Sequence, residues 1–273
     1  MIEAWIYVAK GSYLSPHTIC ACLQSLGRTV LIFKGFSLTG PRVAVIRAVP
    51  SYLAGLNDKG KYMPKFKVAV MASGGGTNLQ QLLDRFPDRE DSAASARVCL
   101  VVTNRPGIGA LERASKAGVR SEVVPPSEFE TPEAFGDHLI GLFREEAIDL
   151  VVLAGYLKKL PPNFIAAFQN RIINIHPALL PSFGGKGMYG HLVHEAVLAS
   201  GVKVSGCTVH FVDERYDRGP IIAQRTVPVY HTDTAEILAA RILKEEHQLL
   251  PQVVEMIAKG RVEVVGNLVH IHS

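Results

Sequence analysis

From Lys67 to the C-terminus, short apolar runs alternate with longer stretches in which apolar residues recur at helical spacing. The runs predict strands over 67–73, 97–103, 120–125, 148–154, 171–176, 206–212 and 221–229. The intervening periodicity predicts helices over 77–86, 108–117, 131–146, 161–169, 189–200 and 233–259. Runs such as VCLVVT and LVVLAG have no polar alternation, as expected of strands covered on both faces. Strand–helix alternation of this kind predicts an α/β fold with an open, mostly parallel sheet of about seven strands flanked by helices. Ligands of such sheets bind beyond the carboxyl ends of the strands, so the residues just after each strand are the ones to inspect.

Residues 1–62 have no such pattern. Apolar fragments such as TVLIF and RVAVIRAV show no clear period, and two acidic residues face seven Lys and Arg. The stretch GLNDKGKY then reads as a linker before the first clean strand, which places a boundary near residue 62. Three readings stand. The segment is a transit peptide, being acidic-poor and Arg-bearing, although poor in Ser. It is a small accessory domain, although ~60 residues is marginal for an independent core. Or the natural chain begins at Met63, just before the first strand. The expected organisation is an N-terminal extension of undefined role over 1–62 and one catalytic domain over 63–273.

Composition changes this picture little. A chain of 273 residues, 48% hydrophobic and 20% charged, suits a globular α/β protein. A formal net charge of +4 does not call for nucleic acid or a membrane surface, but suits a phosphorylated substrate. No apolar run reaches the ~18 residues that span a bilayer. The four cysteines, Cys20, Cys22, Cys99 and Cys207, form neither a metal quartet nor a disulfide framework, which favours a reducing compartment.

Three clusters carry candidate chemistry. The first is SGGGTN after the first strand. Gly74, Gly75 and Gly76 permit close backbone approach, Thr77 or Asn78 can cap the next helix, and a helix start attracts anions. It reads as a phosphate cradle or as a plain tight turn; it is neither a P-loop nor a dinucleotide fingerprint. The second is IINIHPALLP, where Asn174 and His176 interrupt an apolar strand and project to one face. Burying such groups without partners costs roughly 1–3 kcal/mol, so the pair needs a reason. A lone His would be a satisfied core residue. An amide beside an imidazole at a strand end, before the glycine-rich loop 184–190, suits charge developing on a carbonyl oxygen. The third is VHFVDERYDRGP. His210 lies on a strand, and Asp213, Glu214 and Asp217 follow in a turn from which one carboxylate can reach back to His176. The alternative is a surface acidic turn.

Together, VAVMASGGGTNLQ, DLVVLAGYLKKLPPNFI, IINIHPALLPSFGG, SGCTVHFVDERYDRGPIIAQRTVPV and ARILKEEHQLLP closely resemble the phosphoribosylglycinamide formyltransferases, folate-dependent formyltransferases of purine biosynthesis. The resemblance covers 66–262 in order. It implies a Rossmann-like formyltransferase fold, and formyl transfer from 10-formyltetrahydrofolate to the amine of 5'-phosphoribosylglycinamide. It implies catalytic roles for Asn174, His176 and Asp217, in which Asn174 and His176, the latter as an imidazolium paired to Asp217, donate to the oxyanion that forms. Substrate binding falls to Gly75, Gly76, Thr77 and Asn78 at the phosphate and to Glu246 at the ribose. Leu157, Lys158 and Leu160 match the strip that cradles the pterin, and His210 matches a histidine near the catalytic set. No metal, nucleic acid or membrane partner is implied; a cytoplasmic monomer or homodimer is expected, or an organellar one if 1–62 is a transit peptide.

Pro132 stands where an Arg often contacts the folate tail, and Leu243 beside Lys244 where Gln or Lys is usual. Within the same fold, a methionyl-tRNA formyltransferase would carry a further C-terminal domain. A formyltetrahydrofolate hydrolase would lack the glycine-rich turn. A non-catalytic folate- or nucleotide-binding protein would not need Asn174, His176 and Asp217 together.

Overall fold

The computed structural model describes residues 29–32, 47–50, 65–89, 92 and 94–272. The chain divides into two compact units, Met1–Pro64 and Lys65–Ser273. In the first, β1 (Thr29–Ile32) pairs antiparallel with β2 (Arg47–Pro50). Cys20, Cys22 and the boundary near residue 62 lie outside the described residues.

The second unit is built on a seven-stranded sheet of order β5-β4-β3-β6-β7-β8-β9. Its strands are β3 (Phe66–Ala72), β4 (Ala96–Thr103), β5 (Arg120–Val123), β6 (Leu150–Leu153), β7 (Ile172–His176), β8 (Val204–Phe211) and β9 (Ile221–Pro228). The first five in that order run parallel, and β8 and β9 are antiparallel to their neighbours. The helices are α1 (Thr77–Arg85), α2 (Gly109–Lys116), α3 (Pro132–Glu145), α4 (Pro162–Ala167), α5 (His191–Ser200) and α6 (Ala235–Ala258). Each strand and helix expected from the apolar pattern is present. The β1–β2 pair, a 3-10 turn over Pro126–Glu128 and a C-terminal hairpin of β10 (Val262–Val265) and β11 (Leu268–Ile271) were not anticipated. The hairpin's signal is short, alternating VEVV and LVHI around Gly266–Asn267, a two-residue hairpin turn.

Local chemistry fixes the helix starts. Thr131 and Thr234 cap α3 and α6 by accepting from the N–H of Ala134 (3.1 Å) and Ile237 (3.3 Å). Pro132 occupies the first turn of α3, where its missing N–H costs nothing.

The sheet separates two apolar clusters. On one face, Val68, Val70, Val152, Ile173 and Ile175 pack with α1, α2, α5 and α6. On the other, Ala69, Met71, Val102 and Val151 pack with α3 and α4. There Phe143, Phe164 and Phe168 stack with centroid distances of 5.4, 5.9 and 5.0 Å, and such pairs add about 0.5–1.5 kcal/mol each beyond area burial. This trio fixes α4 beneath the segment that leaves β6. Over β7 and β8 the second face carries loops: Thr208 donates to the carbonyl of Ala178 (2.6 Å) and accepts from the N–H of Leu180 (3.1 Å).

Candidate active site

That loop-covered face explains the polar pair in β7. Ile173 and Ile175 enter the first cluster, so Asn174 and His176 point to the opposite face. Antiparallel pairing sets His210 of β8 directly across from Asn174 and Thr208 across from His176, on that same face. Asn174 Nδ2 lies 3.2 Å from His210 Nε2, and His210 Nδ1 is 2.8 Å from the carbonyl of Phe211. His210 therefore donates from Nδ1 to that carbonyl, which leaves Nε2 facing the Asn174 amide. His176 Nε2 donates to the carbonyl of Phe183 at 2.8 Å.

Asp217 reaches this group by a route that strand ends alone do not reveal. Because β8 runs antiparallel, its end meets the start of β7, where Val212 N–H bonds the carbonyl of Ile172 (2.9 Å). The turn then folds back across the face. Asp217, in the left-handed conformation (φ 53°), sets Oδ2 3.8 Å from His176 Nδ1 and Oδ1 3.6 Å from His210 Nε2. Its Oδ2 also accepts the N–H of Gly185 at 2.8 Å. Asp213 instead binds the N–H and guanidinium of Arg215 in the outer part of the turn.

The electrostatics of the pair are set by burial and by its partners. Burial pushes the His176 pKa below its ordinary value; Asp217 and the Phe183 carbonyl oppose this and do not overcome it. For Asp217, burial alone would raise the pKa, but His210, His176 and the Gly185 N–H together bring it below the usual carboxylate value.

These side chains line a cavity of about 420 Å³. Its wall includes Leu157, Lys158 and Leu160, so the structure brings the expected pterin strip and the Asn174, His176, Asp217 group to one cavity. Leu160 is buried, whereas Leu157, Tyr189 and Tyr216 stay about half exposed at the mouth, an apolar rim suited to a flat ring. Lys159 stands 5.6 Å from the centroid of the Tyr216 ring.

The glycine turn lies outside that cavity lining, at the carboxyl end of β3. Neither Thr77 nor Asn78 caps α1: the capping position is Gly76 (φ 74°), with no side-chain bond to the helix start. The left-handed backbone explains the difference, since it favours glycine and leaves Thr77 and Asn78 inside the helix. Asn78 turns inward and donates to Glu246 Oε2 at 2.7 Å, while Thr77 is exposed. Glu246 is buried on α6, and burial raises its pKa against the opposing Asn78 amide. Leu243 and Lys244 lie one turn earlier on the same helix.

Two arginines that the sequence reading passed over frame this turn. Arg105 donates to the Ser73 carbonyl from Nε (3.1 Å) and Nη2 (2.7 Å). Arg113 donates from Nε to the Gly75 carbonyl (2.8 Å) and from Nη1 to Gln80 (2.9 Å). Their signal was positional: Arg105 follows the end of β4, at the ligand edge of the sheet. Among the described residues, no group of three or more His, Cys, Asp or Glu is arranged to hold a metal ion.

Known proteins resemble this chain in sequence and in fold. A protein named phosphoribosylglycinamide formyltransferase, chloroplastic, from Vigna unguiculata is 45% identical over 196 residues, 72% of this chain. The chain spans 62% of that relative's length. The Arabidopsis thaliana protein of the same name is 41% identical over 224 residues, 82% of this chain and 76% of that protein. The crystal structure of glycinamide ribonucleotide transformylase 1 from Symbiobacterium toebii superposes with a TM-score of 0.72 at 40% identity, covering 80% of this chain and 99% of that one. The sequence pattern of the formyl transferase family matches residues 66–254, the span that supplies the seven-stranded sheet, the Asn174–His176–Asp217 cavity and Glu246, and the chain belongs to that family.

Proposed function

We propose that residues 63–273 form a phosphoribosylglycinamide formyltransferase, which moves the formyl group of 10-formyltetrahydrofolate to the amine of 5'-phosphoribosylglycinamide. The observation that carries this reading is the convergence of Asn174, His176, His210 and Asp217 in a cavity rimmed by Leu157 and Tyr216. The names of the relatives at 40–45% identity support the same choice of acceptor.

In this reading, the amine nitrogen forms a bond to the formyl carbon and the carbonyl electron pair moves onto oxygen. The second N–H of Asn174, the one not given to His210, donates to that oxyanion. His176 donates its Nε2 proton to the Phe183 carbonyl. Negative charge on the oxyanion, with Asp217 beside Nδ1, then favours protonation at Nδ1, giving a second donor. The pair returns from oxygen, the bond from the formyl carbon to the folate nitrogen breaks, and the proton lost by the amine ends on that nitrogen. Asp217 assists this transfer. Gly75, Gly76, Thr77 and Asn78 hold the phosphate, Glu246 the ribose, and Leu157, Lys158 and Leu160 the pterin.

A formyl-transfer assay with glycinamide ribonucleotide, run beside a measurement of formate release, tests the assignment. Transfer without formate release is expected, and formate release alone would mean a hydrolase. A chain starting at Met63 is expected to retain that activity, since the sheet and all named site residues lie after it. We place the reaction in the cytoplasm. The chloroplastic plant relatives support an organelle as the alternative, and a fluorescent protein fused behind residues 1–62 distinguishes the two.

A further inference from the structure

The turn between β3 and α1 contains three glycines in a row, and glycine backbones rotate at little steric cost. A rotated peptide unit would aim a carbonyl where an N–H should be, and an anion would meet the wrong end of the dipole. Yet every carbonyl from Ser73 to Gly75 is held from the β4–α2 side. Ser73 O takes two bonds from Arg105, Gly74 O takes the N–H of Ala110 at 3.1 Å, and Gly75 O takes Arg113 Nε at 2.8 Å. In a trans peptide the carbonyl and the following N–H point in opposite directions. Fixing these carbonyls on one side aims the N–H groups of Gly74, Gly75 and Gly76 to the other. Arg113 also grips Gln80 in α1, so one guanidinium spans the turn and the helix it opens.

We propose that Arg113, assisted by Arg105, is a positioning residue for the phosphate of the acceptor substrate, orienting the glycine turn so that its N–H groups face the anion. Its Nε and Nη1 grip the Gly75 carbonyl and Gln80, and through these bonds it orients the turn. The proposal rests on the reading of this turn as the phosphate cradle. Arg113 is the cleaner residue to test, because Ser73, the partner of Arg105, also accepts the N–H of Leu157 (2.9 Å) and thereby joins the turn to the pterin strip.

The test compares KM for each substrate, kcat, inhibition by inorganic phosphate and melting temperature in wild type, Arg113→Ala, Arg113→Lys and Gly75→Val. Gly75→Val is the control for the cradle itself, since a Cβ at Gly75 meets nothing within 4 Å in the protein, whereas one at Gly76 would press on Ala110 Cα at 2.9 Å. Arg113→Ala should raise KM for the ribonucleotide and weaken phosphate inhibition roughly tenfold or more, the size of a charge-assisted hydrogen bond. The folate KM and kcat should stay within about twofold. Arg113→Lys, which keeps a charged donor for the Gly75 carbonyl, should recover part of the loss. If Gly75→Val raises the ribonucleotide KM and Arg113→Ala does not, the positioning role falls and the cradle stands. If neither variant raises it, the cradle reading falls with the proposal. Equal losses for both substrates with a lowered melting temperature in Arg113→Ala would show a merely structural arginine and overturn the proposal.

Discussion

Asn78 and Glu246 stand 168 positions apart in the chain and meet in a 2.7 Å hydrogen bond between the first turn of α1 and the middle of α6. The bond joins the two ends of the proposed ribonucleotide site, and the carboxyl it holds resists ionisation because it is buried.

That burial sets a sign. The pKa of Glu246 in the folded chain lies above its unfolded value, so folding favours the proton. The cost of ionising Glu246 is absent below the ordinary carboxylate range, grows as pH rises through the folded pKa, and is fully present above it. Glu246→Gln keeps an acceptor for Asn78 and cannot ionise. Its melting temperature should exceed that of wild type at about pH 8, with the gain vanishing in acid. Its KM for the ribonucleotide should rise, because a carboxylate accepts hydroxyl hydrogen bonds better than an amide. A gain that grows in acid would contradict the assignment.

Asn174→Ala and His176→Ala should each lower kcat at least ~100-fold, as loss of an oxyanion donor does, with both KM values little changed. Steady-state kinetics together with an unaltered circular dichroism spectrum would check this. Near-normal turnover in either variant would remove that residue from the chemistry.

Asp217→Asn should lower kcat strongly while leaving substrate affinity close to wild type. Asn tolerates the left-handed backbone that Asp217 adopts, so the turn should hold. Asp217 raises the His176 pKa against burial, so the variant should move that pKa further down, readable by NMR titration of the histidine. Asp213→Asn, whose partner is Arg215, should be close to wild type in both respects.

Much of this was legible in the chain because parallel strands covered on both faces write themselves as unbroken apolar runs. Asn174 and His176 showed because they break such a run, and an i, i+2 pair has only one geometry on a strand. The Asn78–Glu246 contact did not show, since it depends on how α6 crosses α1. Gly76 displaced Thr77 and Asn78 from the cap because sequence marks a capping side chain more readily than a left-handed backbone. Arg105 and Arg113 stayed hidden because their partners in the turn are backbone carbonyls, which every residue has. Sequence likewise shows the carboxylate beside His176 but not the depth at which the ring lies, and that depth lowers its pKa.

The sheet acts as a partition between two independently packed layers. The helices bearing Asn78 and Glu246 rest on one cluster; the segment bearing Leu157, Lys158 and Leu160 rests with α3 and α4 on the other. Cavities opened in different layers have no shared wall to collapse, so the losses from Leu79→Ala and Phe164→Ala should sum to within about 0.5 kcal/mol in denaturant titrations of the double variant. The bond from Leu157 N–H to Ser73 Oγ is a link between the two sides, at the carboxyl edge of the sheet.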